Sequence, residues 1–229
     1  GWYEEGDETY YYYEKGLKCT GISIIEGETY YFDENGKLEW MITDLSDGWK
    51  QIGDNWYYVK DQSILKAQWL IFENAIYYLD EDGKMLENEE CLLEDITGDG
   101  SHVYHFGSGG ALITGWYQTS SGEWNYFDSN GLAVTGWLKL NTVWYYFSED
   151  GVMETGWNDI DGTWYYFDVS GSMHTGWLQL NGIWYYMMPS GAMATGWAAA
   201  DGNWYYFNES GSMHTGWLQL GNNWYYLQD

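Results

Sequence analysis

Trp157 and Trp164 stand seven residues apart, on either side of a segment containing Asp161-Gly162. The same interval separates Trp49 from Trp56, Trp137 from Trp144, Trp177 from Trp184, Trp197 from Trp204 and Trp217 from Trp224. Paired indoles at fixed spacing carry one kind of chemistry, that of the electron-rich ring face. If Trp157 and Trp164 point toward the following repeat, that repeat offers Tyr185 from its opposite face. Three rings then surround one cleft. Such a cage suits a quaternary ammonium, a diffuse cation with no hydrogen-bond demand. Each ring contributes ~0.5–2 kcal/mol, and ~4 kcal/mol corresponds to ~1 mM. Useful strength therefore requires several cages engaging one polymer.

The elements that must position these rings form a repeat of about 20 residues. Thr155-Gly-Trp-Asn-Asp-Ile-Asp-Gly-Thr-Trp-Tyr-Tyr-Phe-Asp-Val-Ser-Gly-Ser-Met-His174 is the reference copy. Anchored on the Trp of Thr-Gly-Trp, the units fall at Trp2, Ile22, Trp49, Trp69, Glu89, Trp116, Trp137, Trp157, Trp177, Trp197 and Trp217. Each unit reads as a β-hairpin. Trp177 to Leu180 is one strand, Asn181-Gly182 the turn, and Trp184 to Met187 the other. Asn-Gly and Asp-Gly favour the type I′ turn, whose two central residues both need positive φ. Side chains alternate across a strand, so Trp164 and Tyr166 share one face and Tyr165 takes the other. The second Tyr and the Phe of each Trp-Tyr-Tyr-Phe read as packing, and the paired Trp as ligand contacts. No period of 3.6 is sustained, so no helix is expected. An isolated hairpin is marginal in water, and stacking such units into an all-β array resolves this.

The array is uneven. Residues 115–229 hold regular repeats, and 1–114 a diverged set. Ile22 and Glu89 replace the anchor Trp, Ile76 stands where a second Trp is expected, and Trp69 lacks its partner. Spacings stretch to 27 after Ile22 and Glu89, which places longer acidic loops near 41–48 and 91–101. Trp116 and Trp124 are eight apart, so that turn differs. Cys19 and Cys91 read as two buried thiols in strands, with a disulfide as the alternative. His174 and His214 occupy equivalent places in two repeats, which marks duplication rather than a metal site. Asp95-Ile-Thr-Gly-Asp99-Gly100, with His102 and His105 nearby, lacks the full EF-hand spacing. It is taken as a solvated acidic turn, with Ca²⁺ the lesser alternative and no cofactor expected.

Composition narrows the function. The chain of 229 residues has 17 Trp and 24 Tyr, more rings than a core requires. Its net charge is −27, from 8 Lys, no Arg and 35 acids. That balance excludes nucleic-acid binding, which uses basic stripes. No apolar run approaches the ~20 residues of a membrane span. No signal peptide is visible, and a chain that opens inside a repeat reads as a mature segment or fragment.

Thr-Gly-Trp, then Trp-Tyr-Tyr-Phe seven residues on, then Gly-x-Met-x-Thr-Gly-Trp resembles the choline-binding repeat of pneumococcal and related Gram-positive surface proteins, autolysins and phage lysins. The resemblance is specific from Thr114 onward and weaker before. It implies a left-handed solenoid of stacked β-hairpins. It implies cages for the phosphorylcholine of teichoic and lipoteichoic acids, formed by Trp116, Trp124 and Tyr145; Trp137, Trp144 and Tyr165; Trp157, Trp164 and Tyr185; Trp177, Trp184 and Tyr205; and Trp197, Trp204 and Tyr225. Trp49, Trp56 and Tyr77 form a sixth candidate. Met153, Met173, Met193 and Met213 are fourth walls or plain core. It further implies a secreted protein held on the bacterial cell wall, without catalysis in this chain, and a homodimer through the C-terminal hairpins as a candidate assembly. The competing readings are a carbohydrate-binding repeat of the glucan or toxin type, and a repeat-only adhesin whose diverged half meets a host protein. An enzyme would have to sit within 1–114.

Overall fold

The computed structural model describes residues 1–98 and 100–228. Every regular element among them is a strand, and no described helix is long and apolar enough to cross a membrane. The chain divides into two compact units. One comprises Gly1–Thr114 with Ser129–Leu132, the other Gly115–Asp128 with the chain from Ala133 onward.

In the second unit six antiparallel hairpins follow one another. The 156–167 hairpin shows why the sequence folds this way. Gly156–Ile160 pairs with Thr163–Phe167, placing Trp157 opposite Tyr166 and Asp159 opposite Trp164. The two-residue connection needs positive φ twice. Asp161 and Gly162 supply +53° and +77°, as Asn181 and Gly182 supply +51° and +82°. A type I′ turn matches the right-handed strand twist, so Asp-Gly fixes the register that puts both Trp on one face. The longer turn of the 115–127 hairpin is closed instead by Thr119, whose amide donates to the Glu123 carbonyl at 2.9 Å while Gly122 donates back to Thr119.

Successive hairpins dock through one recurrent backbone bond. The Met173 amide forms a bridge with Phe167 of the preceding strand and donates to the Trp144 carbonyl at 2.8 Å. Met153, Met193 and Met213 repeat this on Trp124, Trp164 and Trp184 at 2.7–2.8 Å. The core runs beneath: Phe147, Phe167, Met187 and Phe207 are fully buried. Each such side chain contributes about 1.5–3 kcal/mol, which stabilises a stack whose single hairpins would not persist.

The first unit contains five hairpins, two of them extended. Leu38–Ile42 joins the 21–32 hairpin as a third strand, and Ser63–Ile64 joins the 48–60 hairpin. The expected acidic loops are therefore partly strand. Met41 and Ile42 belong to the added strand, and Cys91 to Glu94 to a six-residue strand paired with Ser101–Phe106. The cysteines also differ from expectation. Both are free thiols; Cys19 is buried but lies outside any strand, and Cys91 is in a strand but only half-buried. Cys19 is held by its Ser23 hydroxyl contact at 2.9 Å, within reach of the Tyr13 hydroxyl.

Candidate functional site

The alternation built into each hairpin brings the expected rings together. Trp157, Trp164 and Tyr166 share a face, and Tyr185 lies on the facing side of the next hairpin. Trp157 is the hub: its ring centroid is 6.4 Å from Trp164, 5.2 Å from Tyr166 and 5.0 Å from Tyr185, all edge-to-face. Trp157, Trp164, Tyr185 and Met193 line a cavity of ≈ 420 Å³ together with Glu209 and Ser210. The second indole, Trp164, remains 44% exposed. Trp157 is half-buried between two hairpins while Trp164 is the more exposed, and both face the cavity.

The neighbouring cages repeat this geometry. Trp137 lies 6.1 Å from Trp144 and 4.8 Å from Tyr165, around a cavity of ≈ 340 Å³ that Met173 and Ser190 also line. Trp116 lies 6.2 Å from Trp124 and 5.0 Å from Tyr145, so the eight-residue spacing does not disturb the cage. Trp177 lies 6.0 Å from Trp184 and 4.7 Å from Tyr205, and its indole N–H donates to Asp201 at 3.0 Å. In the first unit Trp49 meets Tyr77 at 5.0 Å, and Trp49, Trp56, Tyr77, Met85 and Glu87 line a cavity of ≈ 320 Å³. The last set is looser. Trp197 contacts Tyr225 at 5.1 Å, but Trp204 is 66% exposed. Trp217 and Trp224 stand 6.3 Å apart, both exposed.

The methionines are wall and core together. Met173 and Met193 line cages, and their thioethers lie against Gly191 and Gly211 of the next loop. Soft, unbranched side chains fill such irregular gaps well. Sequence reasoning left this open because each Met reaches a Trp 29 residues upstream, far beyond any local period.

The worn repeats have become core. Ile22 and Thr29 occupy the two Trp positions of the 21–32 hairpin, and Tyr57 the third-ring position. All three are buried, and Tyr57 joins Ile22, Ile42 and Ile52 in one cluster. The Tyr57 hydroxyl has no hydrogen-bond partner among the described residues, and burial pushes its pKa up. Likewise Trp69 packs on Tyr78 and on Tyr104, which is buried and donates to Asp95 at 2.8 Å; Ile76 and Leu112 close the cluster. Trp2 packs on Tyr11 and Tyr30 at 5.0 Å, a ring cluster that the missing second Trp had hidden.

The remaining polar features are structural in their contacts. His174 and His214 reach the carbonyls of Trp177 and Trp217 at 3.0 and 3.1 Å. Asp95 accepts from the Thr97 amide and hydroxyl and from Tyr104, which hold its carboxyl below the usual range. Asp99 lies outside the described residues. No group of three or more His, Cys, Asp or Glu among the described residues is arranged to hold a metal ion.

Comparison with known proteins accords with this geometry. The family model described as a choline-binding repeat matches residues 154–195 and 194–229. The model described as a putative cell wall binding repeat matches 24–38, 47–62, 68–85, 114–133 and 135–153. The structure is similar to CbpJ from Streptococcus pneumoniae TIGR4, at 29% identity and TM-score 0.61, over 100% of this chain and 92% of that one. It is similar to CbpF in complex with ipratropium, at 25% identity and TM-score 0.62, over 94% and 87%. It is also similar to the choline-binding domain of CbpL from Streptococcus pneumoniae, at 28% identity and TM-score 0.56, over 88% and 100%. No curated protein matches the chain. The fold and the cages define an all-β protein of the hairpin-solenoid class. The chain belongs to the choline-binding, cell-wall-binding repeat family, and is a choline-binding module for cell-wall attachment.

Proposed function

We propose that the cages centred on Trp49, Trp116, Trp137, Trp157 and Trp177 each take one choline group of a teichoic or lipoteichoic acid, and that the chain thereby holds a secreted protein on the cell wall without catalysis of its own. The carrying observation is the repeated convergence of two indoles and a tyrosine at 4.7–6.4 Å around an open cavity. The attraction of a cation acts through ring faces, and a quaternary ammonium bound among these rings is desolvated at little cost because it donates no hydrogen bond. A methionine wall adds contact without a competing charge. The Trp197–Trp204–Tyr225 set, with its second indole mostly exposed, binds more weakly. The exposed pair Trp217 and Trp224 is the surface through which a homodimer would form.

Single cages of millimolar strength become an anchor only through multivalency. The test is retention on a choline-bearing resin. The full chain should bind and elute with free choline. The variant Trp144→Ala/Trp164→Ala/Trp184→Ala, which removes the second indoles and keeps Trp137, Trp157 and Trp177, should elute at clearly lower choline. Equal retention of the two would overturn the assignment of these rings, and retention only on a glucan resin would favour carbohydrate binding.

A further inference from the structure

The cages share their rings but not their charges. Across the ladder from the second indole of each of the six candidate cages stands one residue that points to the same face. It is Gln51 opposite Trp56, Gln118 opposite Trp124, Lys139 opposite Trp144, Asp159 opposite Trp164, Gln179 opposite Trp184 and Ala199 opposite Trp204. Two of these are charged, and with opposite sign. The Lys139 ammonium lies 5.4 Å from the centroid of Trp144. That distance is within the range of a cation–π contact, so this chain places a cation of its own on a cage ring. No carboxylate forms an ion pair with Lys139 among the described residues, and none lines that cavity. The next cage is the reverse. Asp159 is the cross-strand neighbour of Trp164, and Glu209 lines the cavity.

We propose that these cages are graded by charge: Lys139 sets the Trp137–Trp144–Tyr165 cage as a weak site, and Asp159 with Glu209 sets the Trp157–Trp164–Tyr185 cage as a strong one. This rests on the choline reading of the cages and adds the residues that rank them. The physical reason is twofold. A ring polarised by one ammonium has less negative potential to offer a second, and two like charges repel across a surface of intermediate dielectric. A unit charge within about 10 Å alters the affinity of a bound cation by about 2–5-fold under those conditions. Opposite signs at adjacent cages therefore separate them by about 4–25-fold. Phosphorylcholine carries a phosphate beside the ammonium, and the Lys139 charge next to Trp144 attracts that anion as it repels the cation. The weak cage thus prefers the phosphorylated headgroup, and the strong cage prefers choline free of phosphate.

Site-resolved titration tests this. The full chain is labelled with fluorotryptophan, and the Trp144 and Trp164 resonances are assigned from the spectra of Trp144→Phe and Trp164→Phe. Choline should saturate Trp164 at several-fold lower concentration than Trp144. Lys139→Gln should lower the Trp144 midpoint about 2–5-fold and leave Trp164 unchanged. Asp159→Asn with Glu209→Gln should raise the Trp164 midpoint. Phosphorylcholine should narrow the gap, and the neutral carbon isostere of choline, dimethylbutanol, should abolish it. Equal choline midpoints that Lys139→Gln leaves in place would overturn the gradation, as would a gap that persists with the isostere. No choline response at either ring would overturn the cage reading itself.

Discussion

Replacing Gly211 with alanine should weaken a cage that Gly211 does not line. Gly211 sits at φ +79° in the loop after the 196–207 hairpin, and a Cβ there would lie 2.2 Å from the Met193 sulfur and 2.8 Å from its Cγ. Met193 lines the Trp157–Trp164–Tyr185 cage. Two costs follow. A left-handed backbone costs an L-residue roughly 1–2 kcal/mol, and overpacking adds about 1–3 kcal/mol. Stability should thus fall by about 2–5 kcal/mol. Met193 must also leave its place in the cage wall. About five lost atom contacts at ~0.1–0.2 kcal/mol each amount to about 0.5–1 kcal/mol, or 2–5-fold in affinity. Gly202→Ala is the control: its φ is +81° and its Cβ would meet nothing within 4 Å. Urea denaturation and choline titration at fluorinated Trp164 measure the two effects. Gly202→Ala should show the backbone cost alone, and Gly211→Ala should add further destabilisation and loss of affinity. If the two variants behave alike in both assays, Met193 is not held by Gly211, and the coupling of loop to cage is wrong.

Other consequences follow from the same contacts. Trp157→Ala removes the hub that touches Trp164, Tyr166 and Tyr185; it should cost about 2–4 kcal/mol in denaturation and abolish choline shifts at Trp164. Burial holds the His105 imidazole below its ordinary value, with Glu90 opposing. Its neutral form thus favours the folded state, a contribution full above the ordinary value near 6.5 and lost as pH falls below it. His105→Gln should flatten that acid limb in denaturation series from pH 7.5 to 5. Burial first, and Glu89 next, push the Cys91 thiol up, while Cys19 has no exposed surface. Alkylation of the native protein should label Cys91 slowly and Cys19 only after unfolding, read by mass spectrometry of peptides.

The hairpins and the ring triplets were legible because both rest on local chemistry. Asp161-Gly162 and Asn181-Gly182 select a turn that fixes register, and register fixes which rings share a face. The fate of the worn repeats was less legible. Ile22, Thr29 and Ile76 mark where indoles are missing, but that Tyr57 and Tyr104 would fill those gaps depends on packing across hairpins. The strand Leu38–Ile42 was also hidden, since the acidic residues around it read as loop while Trp40 pairs across to Tyr31. The methionine walls depend on contacts 29 residues apart, which no strand period encodes. Cys19 escaped for a related reason: it lies outside any strand itself, and its burial comes from packing on Ile25 and Phe32 of the following hairpin.

The most direct measurement is a calorimetric choline titration of the full chain, followed in parallel by tryptophan fluorescence, with a glucan oligosaccharide as the control. Saturable binding in the millimolar range, with several sites per chain, no glucan response and loss of about one site in Trp164→Ala, is the expected result. A flat choline titration, or heat released only by the glucan, would contradict choline capture by these cages.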